Sequence, residues 1–124
     1  MRTALFLAAL ASLALAGAAS AHPATEQYIP IGQSPGPGVV QGAAAPVAEP
    51  SESGGPTIVA VERDGAQLGA YVVTPHTRVY IDRSAQGLPN QVGTLDDVQP
   101  GRVIEVRIAN PQTREAEWIK VRAQ

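Results

Sequence analysis

The residues in this chain that could do chemistry are few, and its two histidines, His22 and His76, are the sharpest of them. Cleavage of an export signal after Ala21 would make His22 the first residue. Its amine and ring could then chelate Cu(II), with His76 as the second imidazole. Pro23 follows at once and denies that site an amide nitrogen, and no third ligand is evident. The expected metal set is therefore none, with copper handling through an N-terminal histidine kept as a second alternative. His76, Asp82 and Ser84 have the side-chain types of a triad, but neither a nucleophile elbow nor a Gly-rich oxyanion loop accompanies Ser84. Asp96 and Asp97 are adjacent, so on a helical turn they diverge and suit a helix start better than an acid–base pair. P-loop, dinucleotide and EF-hand patterns are missing. The chain has no cysteine, which removes disulfides, thiol catalysis, thiolate metal sites and a lipobox. The expectation is a non-enzyme without a cofactor.

Binding residues are more plentiful. Arg78 and Tyr80, Arg107, and Trp118 and Lys120 fall on the outward phase of three consecutive predicted strands, with Arg122 beyond them. Adjacent strands would gather them into a basic patch around the chain's only tryptophan. Such a face can stack and hold a sugar polymer or another polyanion. Asp82, Glu105 and Glu117 lie close by, and the plainer alternative is a solvated face with Trp118 covering a barrel end. A separate candidate lies upstream. Tyr28, Ile29 and Ile31 sit beside Pro30 in a stretch otherwise rich in Pro, Gly, Ala and Ser. A solvated linker gains nothing from an aromatic and two isoleucines. They could lie extended along a sheet edge or be presented to a partner.

The elements that must position these residues begin at Thr57. Residues 57–63 are β-branched, Asp64-Gly65 is a strong hairpin signal, and residues 66–73 return with Leu68, Ala70 and Val72 on one face. After Thr74-Pro75, residues 77–82 alternate, with Thr77, Val79 and Ile81 inward. A polar loop spans 83–93, pinned through Leu88 or Val92. Residues 94–99 form one helical turn capped by Thr94, with Leu95 and Val98 directed at the core. Pro100-Gly101 reverses the chain into a fourth strand with Ile104, Val106 and Ile108 inward. The fifth, residues 114–122, points Ile119 and Val121 inward and Ala116, Trp118 and Lys120 outward. The expected fold is all-β: a small five-stranded barrel of the oligonucleotide-fold (OB) or SH3-like kind, with one short helical turn before strand four.

Thr77-Arg78-Val79-Tyr80-Ile81-Asp82, followed by Leu95-Asp96-Asp97-Val98-Gln99-Pro100-Gly101-Arg102-Val103-Ile104-Glu105-Val106, resembles the exported bacterial β-domains grouped as the DUF5666 family. Those repeat a T-x-V-x-V phrase and then L-x-D-L-x-P-G-x-x-V-x-V, and the likeness covers about residues 57–122. It implies an envelope location and a small barrel, and no activity.

The start of the chain supports the same location. Arg2 precedes an apolar run of Ala and Leu over 4–17, and Ala19-Ser20-Ala21 offers small residues to a signal peptidase. The expected organisation is a signal peptide over 1–21, a disordered tail over 22–56 and the barrel over 57–124. Removing residues 1–21 leaves 8 basic against 11 acidic residues, so no global polyanion binding and no nucleic acid partner is expected. The chain therefore reads as a periplasmic or secreted binding or structural module of the bacterial envelope. Its expected partner is an envelope protein or polysaccharide, and it has no membrane span after signal cleavage.

Overall fold

The computed structural model describes residues 27–34, 36–48 and 55–124. The signal over 1–21, His22 and residues 23–26, 35 and 49–54 of the expected tail lie outside them. The described chain is all-β. Its strands are β1 (Val39–Ala44), β2 (Thr57–Arg63), β3 (Ala66–Val73), β4 (Arg78–Asp82), β5 (Gln91–Val92), β6 (Val103–Asn110) and β7 (Glu115–Arg122). Short 3₁₀ turns cover Ser84–Gln86 and Leu95–Asp97.

Local chemistry sets the corners. Asp64 and Gly65 both have positive φ, 53° and 81°, as a two-residue hairpin turn between right-twisted strands requires. Thr77 accepts from the Thr74 amide at 3.0 Å and donates to the Ala116 carbonyl at 2.8 Å, so the break at Pro75 is tied to β7. The turn before β6 is closed by the Asp97 carboxylate, which accepts from the Thr94 amide at 2.8 Å. Gly101 follows with φ of 86°, and its amide donates to the Ala44 carbonyl at 2.7 Å.

The strand order is β3-β2-β1-β6-β7-β4-β5, antiparallel except where β4 runs parallel to β7. A further parallel pairing, Val72 beside Glu115, brings β3 against β7, so β1, β2, β3, β7 and β6 close on themselves. The interior is apolar: Val59, Val61, Tyr71, Val79, Ile104, Val106, Ile119 and Val121, with Ala44, Val98 and Ala116. Val98 is buried and Leu95 packs against the cluster, as their spacing predicts.

Two expectations change and one left open is decided. The sheet has seven strands among the described residues, not five. One of the additions is β1, which lies inside the stretch expected to be a disordered tail over 22–56. It pairs with β6 from Val39 to Ala43 and reaches β2 through Ala43 and Ala44. It has few large side chains because it fills a narrow gap: a Cβ on Gly42 would strike the Glu62 carbonyl and the Val61 side chain. Second, the inward face of β3, which alternation left open, is the one opposite Leu68, Ala70 and Val72. Tyr71 is buried and Leu68 exposed, because Tyr71 stands beside Val59 and shares its face. The Tyr71 ring folds over Gly69, where a Cβ would collide with its hydroxyl. Third, Ala116 points inward. Between the pairs Arg107–Trp118 and Ile108–Ala116 the register slips, which leaves Glu117 as an extra residue and rotates Ala116 to the interior. In the 83–93 loop, Leu88 and Val92 are exposed and Asn90 is buried.

Candidate functional site

Strands β4, β7 and β6 lie side by side, so their outward side chains form rows. One row runs Tyr80, Lys120, Glu105 and, on β1, Gln41; the next runs Arg78, Trp118, Arg107 and Val39. Asp82 stands beside Arg122 at the far end. An outward face carrying this much charge would be solvated. Instead Trp118 and Lys120 are 0% exposed, Glu105 and Asp82 2%, and Tyr80 4%.

The cover comes from the chain itself. Residues 27–34, referred to below as the strap, lie over this face, and side chains of the face bond mainly to the strap's backbone. Lys120 Nζ donates to the Ile29 carbonyl at 2.8 Å, and Asn90 Nδ2 donates to the same oxygen at 3.2 Å. The Ile31 amide donates to Asp82 Oδ2 at 2.9 Å. The Gly32 amide donates to Glu105 Oε2 at 2.8 Å. The Ser34 hydroxyl donates to Glu105 Oε1 at 2.8 Å and accepts from Lys120 Nζ at 3.0 Å. Within the strap, Gln33 N bonds to the Pro30 carbonyl at 3.1 Å, and Gly32 has φ of 91°, a region that favours glycine.

This arrangement satisfies charges that burial would otherwise penalise. Hydrogen bonds to charged groups are worth about 1.5–3 kcal/mol each, whereas removing one partner of a buried charge costs about 3–5 kcal/mol. Lys120 Nζ also lies 4.3 Å from the Trp118 ring centroid, which adds a cation–π contact sheltered from water. Burial pushes the Asp82 carboxyl up. Bonds from the Ile31 amide, from the Ser84 hydroxyl and amide, and the charge of Arg122 outweigh it, so the group sits below its usual value. Lys120 Nζ donates to both the Ile29 carbonyl and the Ser34 hydroxyl, so it anchors the strap at two points.

The structure thus joins the two candidate sets that the sequence presents separately. Of the expected ligand face, Lys120 is bonded to the strap, Trp118 lies beneath the Lys120 ammonium, and Tyr80 beside them is buried, so none of the three is in solvent. Arg78 remains exposed, and Arg107 is half-buried with its Nε 3.7 Å from Glu117. Of the expected partner-binding residues, Ile31 is 6% exposed, Ile29 is half-buried and Tyr28 is 63% exposed. Sequence reasoning missed Ser34 and Asn90 and treated Asp82 and Glu105 as charges opposing a ligand, when they hold the strap. The usable signal was three ionisable residues on outward strand positions opposite an apolar island in a Pro/Gly-rich tail.

The other candidates fall elsewhere. Asp82 Oδ1 accepts from the Ser84 amide at 2.8 Å, while His76 stands exposed in the Thr74–Thr77 turn. A cavity of about 720 Å³ opens beside Asp96, Asp97 and Arg102, where Asp97 serves the turn. Among the described residues no group of three or more His, Cys, Asp and Glu side chains could hold a metal ion. No helix among them is long and apolar enough to cross a membrane.

Fold and face together define an all-β domain that binds a segment of its own chain on the outside of its sheet. No family model matches the chain, and neither a curated protein nor a solved structure does.

Proposed function

We propose that this chain is an exported, non-enzymatic binding or structural module of the bacterial cell envelope, acting in the periplasm or beyond. In this reading the outer face of β4, β7 and β6 is a receptor for an extended peptide. The observation that carries the peptide reading is the bonding of Asp82, Glu105, Lys120 and Asn90 to successive backbone groups of Ile29, Ile31 and Gly32. Backbone groups are what any extended peptide presents, and the side chains at Ile31 and Ser34 add selectivity. The export signal over 1–21 and the likeness of residues 57–122 to the DUF5666 domains support the envelope location. The ring β1-β2-β3-β7-β6, with β3 parallel to β7, supports an OB-like barrel with β4 and β5 attached to it.

The test is a titration of the full chain carrying Ile31→Asp with a synthetic peptide of residues 27–34. Trp118 is the only tryptophan and reports on the face directly. Peptide binding should blue-shift its emission, and the same titration with Glu105→Gln added should need several-fold more peptide. A flat titration in the Ile31→Asp chain sinks the reading.

A second reading is a polysaccharide or polyanion site using Arg78, Tyr80, Arg107, Trp118 and Lys120. It is favoured by the row that sets Trp118 between Arg78 and Arg107. It requires the strap to leave first. An acidic glycan that shifts Trp118 emission only in the Ile31→Asp chain would support it.

A further inference from the structure

We propose that residues 27–34 are exchangeable between molecules: the strap leaves its own face and docks on the same face of a second copy of the chain. The proposal rests on the peptide-receptor reading above and adds the identity of the partner.

The strap is separable from the fold. It is held by side chains of Asp82, Glu105, Lys120 and Asn90, not by a strand ladder. None of its residues belongs to the apolar cluster inside the barrel. Ahead of β1, Gly36 and Gly38 have φ of 94° and 82° and flank Pro37. Gly36 and Gly38 can absorb a change of direction while Pro37 keeps its own φ fixed, so reorientation requires no change in β1. Gly38 itself is fixed to β6, since its carbonyl accepts from the Ile108 amide at 2.9 Å, so the pivot lies ahead of it.

Departure of the strap would return Asp82, Glu105 and Lys120 to water and would bare Trp118 and Tyr80, leaving an aromatic and charged face open to a partner. The segment complementary to that face in length, charge and hydrogen-bonding order is the strap of another copy. Docking in cis and in trans makes the same contacts, so the choice between them is set by effective concentration. A connection of residues 35–38 holds the strap at about millimolar effective concentration. Wild-type protein should therefore be closed and monomeric at micromolar concentration. It should exchange when cis docking is prevented or the protein is crowded.

The experiment mixes two full-length variants. The donor carries Asp82→Asn and Glu105→Gln, so its strap is intact and its face is weakened. The acceptor carries Ile31→Asp and is labelled with 5-fluorotryptophan, so the ¹⁹F signal reports its Trp118 alone. Adding donor should move that signal from the solvent-exposed to the buried position, and native mass spectrometry should show a 1:1 heterodimer. If the signal moves with the free 27–34 peptide but not with donor, exchange is overturned and the receptor reading survives. If neither moves it, both fall. A second variant, with residues 36 and 37 deleted, tests the hinge without touching strap or face. Too short to close in cis, it should sediment as a dimer at micromolar concentration with Trp118 buried. A monomer with exposed Trp118 would overturn the proposal.

Discussion

The two faces of β4, β6 and β7 differ in what buries them, although the same backbone carries both. The inner face is Val79, Ile104, Val106, Ile119 and Val121, which pack on one another and on β2 and β3. The outer face is Tyr80, Asp82, Glu105, Trp118 and Lys120, equally inaccessible but mostly polar. The inner face is held by area removed from water, which is non-directional. The outer face is held by a handful of directional bonds to one eight-residue segment, and it fails as a unit when those bonds go. The inner face therefore supplies global stability, and the outer face supplies a local, reversible closure.

That contrast can be broken in graded steps. The largest effect belongs to the interior. Ile104→Ala should cost about 2–5 kcal/mol of global stability, seen as a lower denaturant midpoint by circular dichroism. A midpoint that stays put would mean Ile104 is not packed as described. Next comes Asp82→Asn, which weakens a charge-assisted bond worth about 1.5–3 kcal/mol. Its expected signature is local. Hydrogen exchange at the Ile31 amide should accelerate while the Ile119 amide keeps its protection. Equal loss at both would show that the two faces unfold together.

Acid offers a third step. Asp82 is held below its usual carboxyl value, so its contribution is complete above about pH 3.9, the unfolded value, and is lost as pH falls through the lowered folded value. Trp118 emission should stay unchanged from neutral pH down to about pH 4 and then red-shift below it, with far-ultraviolet circular dichroism still folded. Asp82→Asn should shrink that step. Ser34→Ala is the smallest change, about 1 kcal/mol, because Lys120 and Glu105 keep their backbone partners in the strap. It should raise strap exchange modestly and leave the midpoint of unfolding within error.

Much of the inner face was legible. Alternation placed Val79, Ile104, Val106, Ile119 and Val121 inward, and Asp64-Gly65 and Pro100-Gly101 marked real corners. Alternation left the inward face of β3 open, and the pairing of Tyr71 with Val59 decided it. Where alternation failed, the cause was a neighbour. Ala116 turned inward because the register between β6 and β7 slips at Glu117. Strand β1 was hidden because Val39-Val40-Gln41-Gly42-Ala43-Ala44 is small and nearly featureless, and its pairing with β6 is what makes it a strand. The candidate site was legible as two unconnected halves. Nothing local to Lys120 indicates that Ile29 is its partner, since 91 residues separate them.

By itself, the sequence determined properties that depend on near neighbours. These are the alternating strands, the glycine and proline corners, the lack of thiol chemistry, and the island of apolar residues in a Pro/Gly-rich stretch. Tertiary structure decided what those residues meet. A charged residue on an outward strand position is solvated by default, and only a segment brought from elsewhere can supply enough donors and acceptors to bury it. Here that segment is residues 27–34, and its arrival turns an apparently open ligand face into one already occupied.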